Sequence, residues 1–259
     1  MLDLKSSVHK TFAILEFFTA QKPEWGVTEL SKEISTSKSN VFRFLSQMQS
    51  IGILDKNEQS EKYRLGLKLF ELGNRVQLRT ALVEKTHPEL MKVAMNIKET
   101  VHIAVFKHHQ IFYVDKVESP QGLRISSNIG SYNAAYATAL GKILLAFLPE
   151  DQRQESLNYI YEENEVKAFT QNTITEKNII LKELAQIKNK EYAIDREEFE
   201  IGLICVAIPI FNQNQEVVAS LSAAGPANRF KEEEVKNYVA TLKEGAMAIQ
   251  EKIGNFRLL

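Results

Sequence analysis

The chain reads as an α+β protein in two unlike parts: an N-terminal winged helix-turn-helix, a helical connector, and a C-terminal α/β domain with an antiparallel sheet. Three observations lead there. Apolar residues recur at helical spacing in three short segments before residue 51. A polar, turn-rich stretch between two short apolar pieces follows at once, the pattern of a hairpin. Beyond residue 100, hairpin-like strand pairs are interleaved with helices, which suggests helices packed on a sheet. A length of 259 residues is just above the usual single domain and fits this division.

The first helix opens at Ser6 or Ser7, with Val8, Phe12, Leu15 and Phe18 as its apolar side. Residues 22–26 break the pattern. Thr28 is the next cap candidate, with Val27 as the staple residue before it and Leu30 and Ile34 as the inward face. Ser35, Thr36 and Ser37 form a small polar turn. A third helix runs from about Lys38 to Ser50, with Val41, Phe44, Leu45 and Met48 inward. Its start carries Ser37, Lys38, Ser39, Asn40 and Arg43, small, polar and basic. A helix that enters the major groove reads bases with its N-terminal side chains, and Arg and Asn match guanine and adenine. The hairpin after it, from Ile51 to Leu65, reads as a wing whose Lys56, Lys62 and Arg64 reach phosphates. A three-helix domain with a solvated face that binds nothing is the bland alternative.

Leu65–Glu84 reads as a mostly helical connector, with Leu67, Phe70, Leu78 and Leu82 on one side, and His87-Pro88 restarts a helix. Strands are expected at Val101–Phe106 and Ile111–Val117 around a tip at residues 107–110, at Leu123–Ser127, and at Leu203–Phe211 and Val217–Ala224. Helices are expected over Ala134–Leu148, Ile174–Lys190 and Phe230–Ile253. The domain boundaries are set at 6–67 for the winged helix-turn-helix, 68–85 for the linker and 86–254 for the C-terminal domain.

Composition narrows the class. Thirty-two Lys and Arg against 33 Asp and Glu leave a charge of −1, and 44% hydrophobic with 25% charged residues is ordinary for a globular chain. Residues 1–75 carry 11 basic and 9 acidic side chains, a difference of +2 too small to imply nucleic acid alone. One cysteine excludes an intrachain disulfide and a cysteine-based zinc site. No apolar run reaches the roughly 18–20 residues of a membrane span, and the N-terminus lacks the order of a signal peptide. A soluble cytoplasmic protein with no membrane partner and no cofactor is expected.

Several segments resemble one family. Residues 134–146, AAYATALGKILLA, are similar to the signature helix of IclR-type transcriptional regulators. Residues 192–207, YAIDREEFEIGLICVA, and residues 221–226, LSAAGP, followed by Arg229, resemble two further blocks of that family, and the winged helix resembles its N-terminal domain. Within the family, residues 60–73 and 98–102 are most like the branch that responds to 2-keto-3-deoxygluconate. The resemblance implies a GAF-like effector-binding domain that takes a small carboxylate, a keto acid or sugar acid. It implies polar contacts from Ala139 and Leu140, from Asp195 and Cys205, and from Ser222 and Ala224, with Leu203 in the apolar lining. Some members have serine where Ala224 stands, and many have proline where Ala134 stands. The residues themselves agree: N–H groups at a helix start bind carboxylates, and small residues such as Ala139 and Gly141 allow close approach. Asp195 accepts from ligand hydroxyls and Ser222 adds another hydroxyl.

Other chemistry is weaker. Cys205 in an apolar strand reads as a buried filler rather than a nucleophile. His108 and His109 read as a hairpin tip rather than metal ligands. The acidic run around Glu198 reads as a solvated face. The expectation is a DNA-binding repressor, not an enzyme, that binds a palindromic operator in double-stranded DNA as a homodimer or tetramer and responds to a small carboxylate. The alternatives are an activator of the same architecture and a small-molecule enzyme with a winged-helix appendage for dimerisation.

Overall fold

A computed structural model describes residues 6–19, 21–76, 82–122, 125–164 and 166–256. The chain divides into two compact units, Met1–Gln77 and Leu78–Leu259.

In the first unit, α1 (Ser7–Leu15) is capped by Ser6, whose hydroxyl accepts from His9 N–H at 3.2 Å. Its inward stripe differs from the one expected. Ile14 and Phe18, four residues apart, are buried, whereas Val8 and Phe12 are 62% and 60% exposed. The helix is only nine residues long, and the unit's core meets its C-terminal end. The second helix, α2 (Val27–Glu33), begins one residue before the expected cap. Gly26 is the N-cap and Val27 the first helical residue, so Thr28 lies inside the helix. Glu29 supplies the cap instead, its Oε2 accepting from Gly26 N–H at 2.8 Å. Ser35, with φ 49°, turns the chain into α3 (Lys38–Ser50). Val41, Phe44, Leu45 and Met48 are buried on α3, as its spacing requires.

The wing is a short antiparallel pair, β1 (Leu54–Lys56) and β2 (Tyr63–Leu65), with Leu54 opposite Leu65 and Lys56 opposite Tyr63. Trp25 bridges to Tyr63 from the other side, and both side chains enter the core with Ile14, Leu30 and Leu45. The helix α4 (Leu67–Asn74) follows. Of the connector residues named above, Leu67 and Phe70 are exposed, Leu82 is buried, and Leu78 lies outside the described residues.

The second unit is a six-stranded antiparallel sheet with helices on both faces. Its strands are β3 (Thr100–Lys107), β4 (Gln110–Val117), β5 (Tyr132–Ala134), β6 (Ala193–Arg196), β7 (Leu203–Phe211) and β8 (Val217–Pro226). They lie in the order β5-β4-β3-β8-β7-β6. Two long helices, α5 (Glu84–Ile97) and α9 (Glu232–Ile253), cover one face over Val101, Ile103, Val206, Ile208 and Leu221. On the other face, α6 (Ala139–Phe147) and α8 (Lys177–Lys190) pack over Ala104, Ile111 and Ala207. Between them comes α7 (Glu150–Asn158).

The β3–β4 hairpin turns on His108 and His109, both at positive φ (51° and 61°), the geometry of a two-residue type I′ turn. His109 stacks on Tyr159 and its Nδ1 lies 3.1 Å from Ser156 Oγ. Among the described residues, no cluster of three or more His, Cys, Asp or Glu could hold a metal ion.

Four boundaries differ from expectation. The segment around Leu123–Ser127 is not a strand at residues 125–127, and Leu123 and Arg124 lie outside the described residues. Tyr132–Ala134 supplies the edge strand instead. Ala134 therefore ends a strand, and α6 starts five residues later, capped by Thr138. Pro88 lies one turn inside α5, which starts at Glu84. Asp195, where no strand is expected, is in strand β6. No helix among the described residues is long and apolar enough to cross a membrane.

Candidate functional sites: an exposed polar helix face and a buried cavity

The exposed face of α3 is built by what its other face buries. With Val41, Phe44, Leu45 and Met48 inward, the helix turns Ser37, Lys38, Ser39, Asn40, Arg43 and Gln47 to solvent. Ser37 also caps the helix, its Oγ accepting from Asn40 N–H at 3.4 Å and standing 3.3 Å from Ser39 Oγ. Thr28 is exposed on the first turn of α2. The wing cations differ among themselves. Arg64 is exposed, whereas Lys56 pairs with Glu61, and Lys62 donates to Glu29 at 3.2 Å. Both lysines are committed to carboxylates within the unit, so of the three wing residues only Arg64 is seen without an ion-pair partner among the described residues. Glu24 fixes the hairpin turn, accepting from Asn57 Nδ2 at 2.9 Å and Ser60 Oγ at 3.0 Å.

The second site follows from sheet register, because directly opposed residues share a face. One row crosses the sheet as Asp195, Cys205 and Ala224. The next runs Ala207, Ser222, His102 and Lys116. A bulge between Ile103 and Ala104 lets Tyr113 join this face while Asp115 turns to the other, where His87 Nδ1 meets it at 2.8 Å. Of these side chains, Asp195, Cys205, Ala224, Ser222, His102 and Tyr113 floor a cavity of about 370 Å³.

The start of α6 forms one wall. Thr138 Oγ1 accepts from Gly141 N–H at 3.2 Å and Thr138 O accepts from Lys142 N–H at 2.9 Å. The remaining first-turn donors are the N–H groups of Ala139 and Leu140, both lining the cavity. Leu203, Phe199 and Glu200 form a second wall, and residues 125–128 and 131–133 a third. Thus Ala139, Leu140, Asp195, Leu203, Cys205, Ser222 and Ala224 converge on one space, and Gly141 does not line it. A Cβ at Gly141 would stand 2.2 Å from Ala135 O, so glycine there lets the 135–138 turn lie against the helix.

Electrostatics divide the cavity. Burial pushes the Asp195 carboxyl up to about 7, opposed by the N–H of Glu198, which donates to it at 2.7 Å, and the nearby Glu198 charge adds to the rise. Burial also raises the Cys205 thiol well above its usual range, reinforced by Asp195, which removes the thiolate a nucleophile needs. His102 is held down to about 3 by burial and then by Lys116, so its imidazole is neutral. Behind the wall lies a fully buried Lys142. Its ammonium donates to Glu198 Oε1 at 2.6 Å, Ile194 O at 2.8 Å and Glu183 Oε1 at 3.1 Å. Glu198 is thus not a solvated acid but a partner in this cluster.

Sequence reasoning missed His102, Tyr113, Ser127 and Asn133 as lining residues. One signal was legible: His102 interrupts the apolar run of β3 between Val101 and Ile103, on the face of Thr100 and Ala104.

Two family models match the chain: the IclR helix-turn-helix domain over residues 7–58 and the bacterial transcriptional regulator IclR C-terminal domain over residues 75–251. The HTH-type transcriptional regulator KdgR of Escherichia coli strain K12 is 39% identical over 252 residues, 97% of this chain and 94% of that protein. KdgR of Dickeya chrysanthemi is 36% identical, over 97% of this chain and 81% of its own. The crystal structure of the Thermotoga maritima IclR is similar with a TM-score of 0.77 and 34% identity, covering 96% of this chain and 98% of that one. The chain belongs to the IclR family of DNA-binding bacterial transcriptional regulators, most like its KdgR branch, and is not an enzyme.

Proposed function

We propose that this regulator represses transcription from a palindromic operator, bound as a dimer or a pair of dimers, and that a small carboxylate in the C-terminal cavity controls that binding. In this reading, residues 6–67 bind DNA, 68–85 link, and 86–254 hold the effector. Ser37, Lys38, Ser39, Asn40 and Arg43 reach into the major groove; Thr28 and Arg64 contact phosphates, with Lys56 and Lys62 exchanging carboxylate for phosphate. The carboxylate end of the effector lies against the N–H groups of Ala139 and Leu140, and Asp195, Cys205 and Ser222 complete its polar contacts beside Leu203 and Ala224. Gly141 supports this wall from behind. The effector is 2-keto-3-deoxygluconate or a related sugar acid.

The observation that supports this most is the convergence of Ala139 and Leu140, at the start of α6, with Asp195 and Ser222 on one cavity. Ligand control requires different affinity for the DNA-competent and DNA-incompetent states. The test is a melting series with keto acids and sugar acids, since a ligand of the folded state raises Tm by mass action. A saturable rise with a sugar acid is expected. No rise across the panel would retire the sugar-acid assignment.

A further inference from the structure

We infer that the part of the cavity remote from Asp195 selects ligands by their hydroxyl groups, with His102 and Ser127 as the specificity-determining pair, so that the site prefers a polyhydroxylated 2-keto acid to a short one. This rests on the effector-cavity reading above.

Four features carry it. First, His102 is 3% exposed and its register places it beside Ser222 on the cavity floor. Its Nε2 meets Ser127 Oγ at 2.7 Å, while Nδ1 has no hydrogen-bond partner among the described residues. Ser222, 1% exposed, likewise has no side-chain partner among them. Among the described residues the buried side-chain polar atom without a partner is Glu198 Oε2, so His102 Nδ1 and Ser222 Oγ, in two residues that line the cavity, are open to contact and can be met by a ligand's polar groups.

Second, the geometry is held from outside. Lys116 lies next to His102 across β3 and β4 and donates to Ile125 O at 2.9 Å and Ser127 O at 3.0 Å. This fixes the loop that presents Ser127. Tyr113, whose ring is tilted against His102 at 5.4 Å, stands with its hydroxyl beside the Asn133 amide.

Third, the charge pattern excludes other tails. Among the described residues, the charged side chains that line the cavity are Asp195 and Glu200. A second carboxylate on the ligand would meet these acids. An aromatic or aliphatic tail would leave His102 Nδ1 and Ser222 Oγ dry and unpaired, a cost a hydroxylated tail avoids. A neutral imidazole both donates and accepts, which suits a hydroxyl better than an anion.

Fourth, the cavity of about 370 Å³ falls within the about 300–1,000 Å³ of ordinary small-molecule sites. A three-carbon keto acid at the start of α6 would leave the His102 end to water.

The test is calorimetric titration of the full chain with pyruvate and with 2-keto-3-deoxygluconate, reading the ratio of the two dissociation constants. Wild type is expected to favour the sugar acid. His102→Phe, close in size, is expected to lose about tenfold or more for the sugar acid while pyruvate stays within about threefold. Ser127→Ala, a smaller change less able to disturb folding, is expected to move the ratio in the same direction by a lesser amount. Equal weakening of both compounds in both variants would make the pair merely structural and overturn the inference. So would a wild type that binds both compounds alike, with the effector reading left standing. A wild type that binds neither would overturn both.

Discussion

The exposed face of α3 and the cavity floor are two polar surfaces assembled by opposite means. On α3, an apolar stripe buries one side and leaves Lys38, Asn40 and Arg43 exposed to water. On the floor, sheet register places Asp195, Ser222 and His102 in fixed rows at no more than 3% exposure, and burial changes their chemistry. The first surface suits a partner that brings dense charge and is gripped in a salt-dependent way. The second suits a small ligand whose every polar atom is matched, because an unmatched buried group is costly. Substitutions in the two places therefore differ in kind: those on α3 change binding with little effect on stability, and those around the cavity change stability and ligand choice together.

The largest expected effect lies at Lys142. Lys142→Met leaves Glu198 buried without its ammonium, at a cost of about 3–5 kcal/mol. A fall in Tm on the order of 10 °C is expected, and an unchanged Tm would show that the cluster does not hold the wall. Asp195→Asn comes next and carries a sign. The folded protein keeps the Asp195 proton up to about pH 7, whereas the unfolded chain releases it near 3.8. Wild-type stability therefore falls as pH rises between these values, and the penalty is complete above them. The variant is expected to gain on wild type by up to about 4 kcal/mol at pH 8 and by much less at pH 5. Thermal melts of both proteins at the two pH values check this, and a pH-independent difference would contradict the buried-carboxyl account.

Arg43→Ala sharpens the comparison from the other side. Tm is expected to stay constant while operator affinity drops by about 1–3 kcal/mol if Arg43 reads a guanine. An equal loss on random DNA would assign it to phosphate. The smallest effect belongs to Ser37→Ala, which removes the cap of α3 at about 1 kcal/mol, seen as a small Tm shift of the N-terminal unit.

The same contrast explains what the sequence made legible. The α3 face was readable because helical periodicity alone fixes which side is buried, and Val41, Phe44, Leu45 and Met48 do so. The carried-over cavity residues were found through the family resemblance, and their convergence depends on pairings between strands far apart in sequence. His102 joins Ser222 across 120 residues, and no local pattern encodes that register. The bulge at Ile103/Ala104, which brings Tyr113 to the cavity, is equally silent in the chain. Val8 and Phe12 misled because a nine-residue helix carries too few turns to fix its inward stripe. Lys62 looked like a free cation because Glu29, its partner, is 33 residues away, whereas the partner of Lys56, Glu61, stands in the same hairpin.

In the proposed function, a ligand in the cavity governs DNA binding by α3 and the wing. Fluorescence anisotropy on an operator fragment selected by the protein itself, with and without saturating 2-keto-3-deoxygluconate, measures that coupling. At least about a tenfold loss of operator affinity is expected, equivalent to about 1.4 kcal/mol of coupling, and it should vanish in Ser222→Ala at the same ligand concentration. Operator affinity that does not change while calorimetry shows the ligand bound would contradict the claim.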